Sequence, residues 1–206
     1  MKIIQIKTNP HAYSSNAYLV LGSWNRISDI NTLVDTGIDG FILDDISRQS
    51  TGIGKRAVEQ IVCTHNHFDH VGGIPAIKNH YHPKILAYQS NTTGDIPLKD
   101  GDLIKMGDAD FRVIFVPEHS NDSICLYSTE DGVLFTGDTY LNIRTHEGTY
   151  GTQFLEFLQY INHLDIRMIY PGHGPAIHEN IQNMIRQTLK NVRNSITLKG
   201  HYGCQS

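Results

Sequence analysis

Short apolar runs rich in β-branched residues recur along this chain with turn residues between them. They are KIIQI at 2–6, AYLVL at 17–21, NTLVD at 31–35, EQIVCT at 59–64, KILA at 84–87, FRVIFV at 111–116, SICLYS at 123–128, GVLFT at 132–136 and IRMIY at 166–170. Runs of this length and composition predict strands. Helical spacing lies between them. Phe154, Phe157, Leu158 and Ile161 fall at i, i+3, i+4 and i+7 behind Thr152, whose hydroxyl suits an N-cap. Ile181, Met184, Ile185, Leu189 and Val192 share one face of a second helix, and weaker patterns predict helices over roughly 40–49 and 72–81. Strands and helices are interspersed, so the class is α/β or α+β with mixed sheets. Nothing repeats at a fixed period and no Pro/Gly/Ser-rich linker divides the chain, which predicts one domain over 1–198 and a flexible tail over 199–206.

Composition narrows the function. The chain has 206 residues, only 18% of them charged, and 12 histidines against 17 lysines and arginines. It is long enough to build a core without disulfides. The net charge of −4 is spread without a basic stripe, so nucleic acid is not the expected partner. No apolar stretch approaches the roughly 18 residues of a membrane helix, and Gln5, Lys7 and Pro10 interrupt the first run before a signal-peptide core could form. The expectation is a cytoplasmic protein with no membrane partner, acting on a small molecule; oligomeric state is not readable. The 3 cysteines, Cys63, Cys125 and Cys204, form no C-x-x-C pair. Cys63 and Cys125, lying in strand-like runs, are expected to be inert core residues.

The chemistry concentrates after one predicted strand. Cys63-Thr64-His65-Asn66-His67-Phe68-Asp69-His70-Val71-Gly72-Gly73 places three imidazoles and a carboxylate within six positions. A loop leaving a strand end can aim such side chains at one point, and His and Asp are ligands that Zn²⁺ accepts. Asp69 and His70 stand where a helix is expected to begin, so they can turn toward a second point nearby. His119 in VPEHSNDS, Asp138 in FTGDTY and His173 in YPGHGP follow at predicted strand ends.

HxHxDH followed by a separate His, a Gly-Asp-Thr and a Pro-Gly-His closely resembles the metallo-β-lactamase superfamily, and among its branches most resembles the glyoxalase II type of binuclear hydrolase. The resemblance runs from Asn16-Ala17-Tyr18-Leu19-Val20 through Leu33-Val34-Asp35-Thr36-Gly37 to Pro171-Gly172-His173. It implies an α+β fold, an αββα sandwich of two mixed β-sheets face to face with helices on both outer faces. It implies two Zn²⁺ ions at one edge, or alternatively one Fe²⁺ or a mixed Mn²⁺/Fe pair. His65, His67 and His119 would form the first site, and Asp69, His70 and His173 the second. Asp138 would bridge them, with Asp35 orienting a ligand imidazole from behind. A water between two cations held by five neutral imidazoles and two carboxylates ionises near neutral pH, providing a hydroxide nucleophile. Asp69 and Asp138 are then the candidate catalytic carboxylates.

The implied activity is hydrolysis of an ester, thioester or lactone of a small metabolite. Alternatives within the superfamily are a mononuclear iron enzyme like the persulfide dioxygenases, using His65, His119 and Asp138, or a compact phosphodiesterase or nuclease. A non-enzymatic metal-binding domain is disfavoured by the complete ligand set. Antibiotic hydrolysis is disfavoured too, because the true β-lactamases lack an aspartate at the position of Asp138. Only 34 residues separate Asp138 from His173, too few for the insertion of the RNA-processing nucleases. The few residues beyond His173 argue against the helical glutathione-binding extension of glyoxalase II. The chain departs from the family pattern at Glu118 and Asp122, two acids expected in a solvated turn. His11, Tyr13, Arg144, His146 and Tyr150 are candidates for substrate contact because their loops adjoin predicted ligands.

Overall fold

The structure is a computed structural model that describes residues 1–88 and 95–198; Cys204 and the tail expected over 199–206 lie outside them. Six strands form the first sheet: β1 (Lys2–Ile6), β2 (Ala17–Leu21), β3 (Thr32–Val34), β4 (Gln60–Val62), β5 (Lys84–Tyr88) and β6 (Ile96–Leu98), in that spatial order. β1 to β3 pair antiparallel, and β3 to β6 pair parallel. The second sheet is built from β7 (Leu103–Met106), β8 (Ala109–Phe115), β9 (Ile124–Ser128), β10 (Val133–Gly137) and β12 (Met168–Pro171), in the order β12-β10-β9-β8-β7. Its β10–β12 pair is parallel and the rest antiparallel. A short parallel pair, β11 (Thr149–Gly151) with β13 (Ile196–Leu198), stands apart.

Alternation along each strand explains the layering. In β2, Tyr18 and Val20 enter the core between the sheets, while Ala17, Leu19 and Leu21 enter a second core on the outer face. The same split separates Ile124 and Leu126 from Cys125 and Tyr127 in β9. With a period of two, a strand sandwiched on both faces must be apolar throughout, which is why these runs look unpatterned in sequence. The helices α1 (Ile42–Ser47) and α3 (Ile74–Tyr81) cover the first sheet through Ile42, Ile46, Ile74 and Ile77. On the second sheet, α4 (Thr152–Ile161) and α5 (Ile181–Arg193) bury Phe154, Phe157, Leu158, Ile161, Ile185, Leu189 and Val192. This is the αββα sandwich.

The structure corrects several boundaries. Thr152 is the first residue of α4 rather than its cap, the capping position being Gly151, and no side chain caps the helix. β3 stops at Val34 because Asp35 takes a left-handed φ of 56°. The short helix α2 (Phe68–Val71) precedes α3, and the strands β6, β7, β11 and β13 have no counterpart among the predicted runs. Each has only three or four residues, too few to establish a pattern, and β6 carries Pro97, which only a sheet edge tolerates.

Candidate metal centre

Loops at one end of both sheets converge. From the first sheet come Asp35 after β3 and the His65–His70 segment after β4; from the second come His119 after β8, Asp138 after β10 and His173 after β12. His67, with extended backbone at φ −71° and ψ 144°, caps α2, and the turn that follows buries Asp69 and His70. Expected ligands far apart in sequence thus arrive together. One ligand atom from each of His65, His67 and His119 lies within 4.8 Å of the others, as do those of His65, His70 and Asp138, and of Asp69, His70 and His173.

Asp138 stands at the middle of the cluster. Its Oδ1 is 3.2 Å from His70 Nε2, and its Oδ2 is 4.0 Å from His65 Nε2, 3.5 Å from His119 Nε2 and 3.6 Å from His173 Nε2. Asp69 Oδ2 lies 3.1 Å from His173 Nε2 and 3.7 Å from His70 Nε2. His67 Nδ1 and His119 Nε2 approach to 2.9 Å. Among the described residues, His65 Nε2, Asp69 Oδ2, His70 Nε2 and Asp138 Oδ1 are buried without a hydrogen-bond partner. Buried polar atoms are normally satisfied. Four that are not, converging with further imidazoles and all of metal-ligating type, fit one or two divalent cations.

The surroundings hold these atoms in place. Asp35 accepts from Thr64 N and Thr64 Oγ1, each at 2.8 Å, and lies 2.8 Å from His70 Nδ1. Engaging Nδ1 directs the Nε2 lone pair of His70 into the cluster. Asn16 braces the His173 loop: Nδ2 donates to the carbonyls of Pro171 at 3.0 Å and Gly174 at 2.8 Å, and its backbone N–H donates to Gly172 O at 2.7 Å. A Cβ on Gly172 would collide with Asp138 and His70, so only glycine lets this loop lie against the cluster. After Asp138, α5 grips the chain. Thr188 Oγ1 donates to Leu141 O at 2.7 Å and accepts from Ile143 N at 3.1 Å, while Asn191 Nδ2 donates to Ile143 O at 2.8 Å. Sequence reasoning singles out neither Asn16, Thr188 nor Asn191 as a site residue; a lone polar residue on an apolar helix face is the signal for the last two.

Charge is divided unevenly. Burial, reinforced by the neighbouring His70, lowers the His65 pKa to about 3. Burial pulls the same way at His70, but the Asp35 and Asp138 carboxylates override it and raise that pKa to about 10. Burial opposes ionisation of Asp138 as well, yet His70 holds its pKa at about 2.

The remaining expected residues divide. Tyr13 is brought to the cluster, its ring stacked on His173 at 4.9 Å and its hydroxyl 3.4 Å from Nε2. His11, Arg144 and His146 are exposed, and the His11 backbone N–H donates to Asn9 Oδ1 at 3.0 Å. Tyr150 is half-buried and packs 5.7 Å from Phe154 against the core beneath α4, and burial, with the Glu118 carboxylate beside it adding to the effect, raises its pKa. Asp122 serves the turn, accepting from Ser120 Oγ at 2.7 Å; at Glu118, partial burial raises the pKa of an otherwise exposed side chain. Cys63 and Cys125 are buried, and burial raises both thiol pKa values, that of Cys125 to about 12.

This fold and cluster are those of a metal-binding αββα protein. Residues 12–173 match the family model of the metallo-beta-lactamase superfamily, and the chain belongs to that superfamily. An atrochrysone carboxyl ACP thioesterase of Aspergillus fumigatus is 29% identical over 167 residues, 76% of this chain and 51% of the relative. A hydroxyacylglutathione hydrolase of Rhodopseudomonas palustris is 35% identical over 120 residues, 55% of this chain and 47% of the relative. The chain therefore spans about half the length of these relatives. A metallo-beta-lactamase family protein from Thermus thermophilus shares the fold at a TM-score of 0.67 and 17% identity, with 93% of this chain and 79% of that one covered.

Proposed function

We propose that the chain is a binuclear metal-dependent hydrolase that cleaves a thioester or ester of a small acyl metabolite. One observation carries this reading: Asp138 stands within 3.2–4.0 Å of four imidazoles drawn from both sheets, the placement of a carboxylate shared by two cations. His65, His67 and His119 would hold one cation, Asp69, His70 and His173 the other, and Asp138 both. Five imidazoles and two carboxylates suit zinc. The thioesterase and acylglutathione hydrolase names of two relatives support a thioester.

Bound there, the cations would lower the pKa of a shared water and polarise the acyl oxygen. The protein's part is positional. Asp138 anchors the space between the two ligand sets, and Asp35 keeps the His70 ring turned inward through Nδ1. Asp69 Oδ2, buried and without a hydrogen-bond partner, would serve the second cation as its carboxylate ligand beside the leaving group. Tyr13, stacked on His173 at the solvent side, limits how the substrate approaches.

The test is metal analysis of protein purified without chelator, joined to a thioester, ester and lactone panel. Two zinc per chain and hydrolysis are expected, and Asp138→Ala should lower turnover by about a thousandfold or more, because several kcal/mol of barrier lowering depend on the cations. Stoichiometric iron without hydrolysis, or unchanged turnover in the variant, would end the proposal.

A further inference from the structure

The end of the sandwich opposite the metal cluster presents an apolar tip. β2 leaves the cluster end at Asn16 and finishes at Leu21, whereas β3 and β4 begin at the far end and run back toward Asp35 and Thr64. Two loops meet at that far end, 22–31 and 48–59, and they are laced together. Lys55 Nζ donates to the carbonyls of Arg26 and Asp29. The side-chain amide of Asn31, fully buried, donates to Thr51 O at 2.8 Å and Arg56 O at 2.9 Å. From these loops project Trp24, 80% exposed, Ile27, 89% exposed, and Ile53, exposed in full. Trp24 is the only tryptophan of the chain.

Most carboxylates around the tip are engaged, whereas its arginines pair with none of them. Asp29 is buried and accepts from Arg26 N at 2.7 Å; Glu59 pairs with Lys55 at 3.2 Å; Asp108 pairs with the N-terminal ammonium at 3.2 Å. On the second sheet, Asp131 lies 3.9 Å from that ammonium and Glu130 is exposed in the β9–β10 turn. The guanidinium groups of Arg26, Arg48 and Arg56 meet no carboxylate among the described residues, in a chain whose net charge is −4; Arg56 instead donates to the carbonyls of Tyr81 and His82.

We propose that this tip docks the protein on an anionic phospholipid surface. Trp24, Ile27 and Ile53 enter the boundary between headgroups and acyl chains, and Arg26 and Arg48 face the lipid phosphates. Tryptophan and aliphatic side chains ringed by arginine are the chemistry that such a boundary accepts. A stable pairing of two copies needs roughly 800 Å² from each partner, whereas three side chains offer on the order of a few hundred. With the tip seated on lipid, the metal cluster at the other end stays open to substrate. The absence of an apolar span in the sequence argues against a membrane-crossing helix, but a loop tip needs none.

The experiment mixes the full chain with vesicles of phosphatidylcholine alone or of phosphatidylcholine with phosphatidylserine. Trp24 is its own reporter. On anionic vesicles its emission should shift to the blue and be quenched by acyl-chain-brominated lipid, with weaker binding to neutral vesicles and at high salt. Ile27→Ser with Ile53→Ser should weaken co-sedimentation by about tenfold or more, and Arg26→Gln with Arg48→Gln should remove the preference for anionic lipid. All four positions are exposed, so unchanged thermal melting and unchanged hydrolysis are expected of these variants. An unshifted Trp24 on anionic vesicles, binding indifferent to the substitutions, or a concentration-dependent blue shift without lipid that reports a dimer would each overturn the proposal.

Discussion

Asp35 shows how much one residue can carry. Its left-handed backbone ends β3, and its two carboxylate oxygens engage Thr64 and His70 together. Asparagine tolerates the same backbone but cannot match the charge. Asp35→Asn should therefore fold yet bind metal about ten- to a hundredfold more weakly, measured by competition with a chromogenic chelator; undiminished affinity would show that the His70 ring is held by other means. The residue scale also sets a pH dependence in metal-free protein. His65 and Asp138 are depressed, to about 3 and about 2, so their contributions fall away as pH drops below their unfolded values of about 6.5 and 3.8. His70 is raised to about 10, so its contribution is complete below about 6.5 and is lost as pH climbs toward 10. Chelated protein should melt at its highest temperature near pH 6–7, and a melting temperature flat from there to pH 10 would contradict the assignment of a retained proton to His70.

Elements were legible where their pattern was long. All nine predicted strands correspond to observed ones, and α4 and α5 fall where the apolar spacing placed them. The elements that sequence reasoning missed are made by their partners. β11 is a strand only because it pairs with β13, and nothing in Thr149–Gly151 alone announces it. That pairing and the grip of α5 hold the loop after Asp138 in place. Thr188 and Asn191 are buried at 1% and 7% exposure, so removing them strands the backbone groups of Leu141 and Ile143. Thr188→Val with Asn191→Leu should cost about 3 kcal/mol or more in denaturant unfolding, at about 1–3 kcal/mol for each of the three backbone groups left unpaired. If Asp138 depends on this grip, the double variant should also turn over more slowly with its metal content unchanged. A variant as stable as the parent would assign the grip no role.

At the scale of the whole molecule, the cluster is a seam. Asp35, His65, His67, Asp69 and His70 belong to one sheet, and His119, Asp138 and His173 to the other. Cations bound only in the folded state stabilise by mass action, and here they would also tie two layers otherwise joined by their apolar core. At a free metal concentration of a hundred times Kd the stabilisation is about 2.7 kcal/mol. For a chain of this size, chelation should lower the melting temperature by about 5–10 °C and readdition should restore it. An unchanged melting temperature would place the metals outside the folding equilibrium.

The sequence by itself determined which imidazoles and carboxylates are candidate ligands and the order of most elements, because such groups crowded at strand ends have few other uses and doubly buried strands must be apolar. It also determined the family, whose motifs are local. Only the tertiary structure decided which loops share an end. Tyr13 and Asn16 reach the His173 loop across more than 150 positions of chain, α5 grips the segment after Asp138 from 45 positions away, and Trp24, Ile27 and Ile53 gather at the far end. The reason is physical: periodicity reports which face of an element is buried, but the meeting of distant loops follows from sheet order and register, which no single segment encodes.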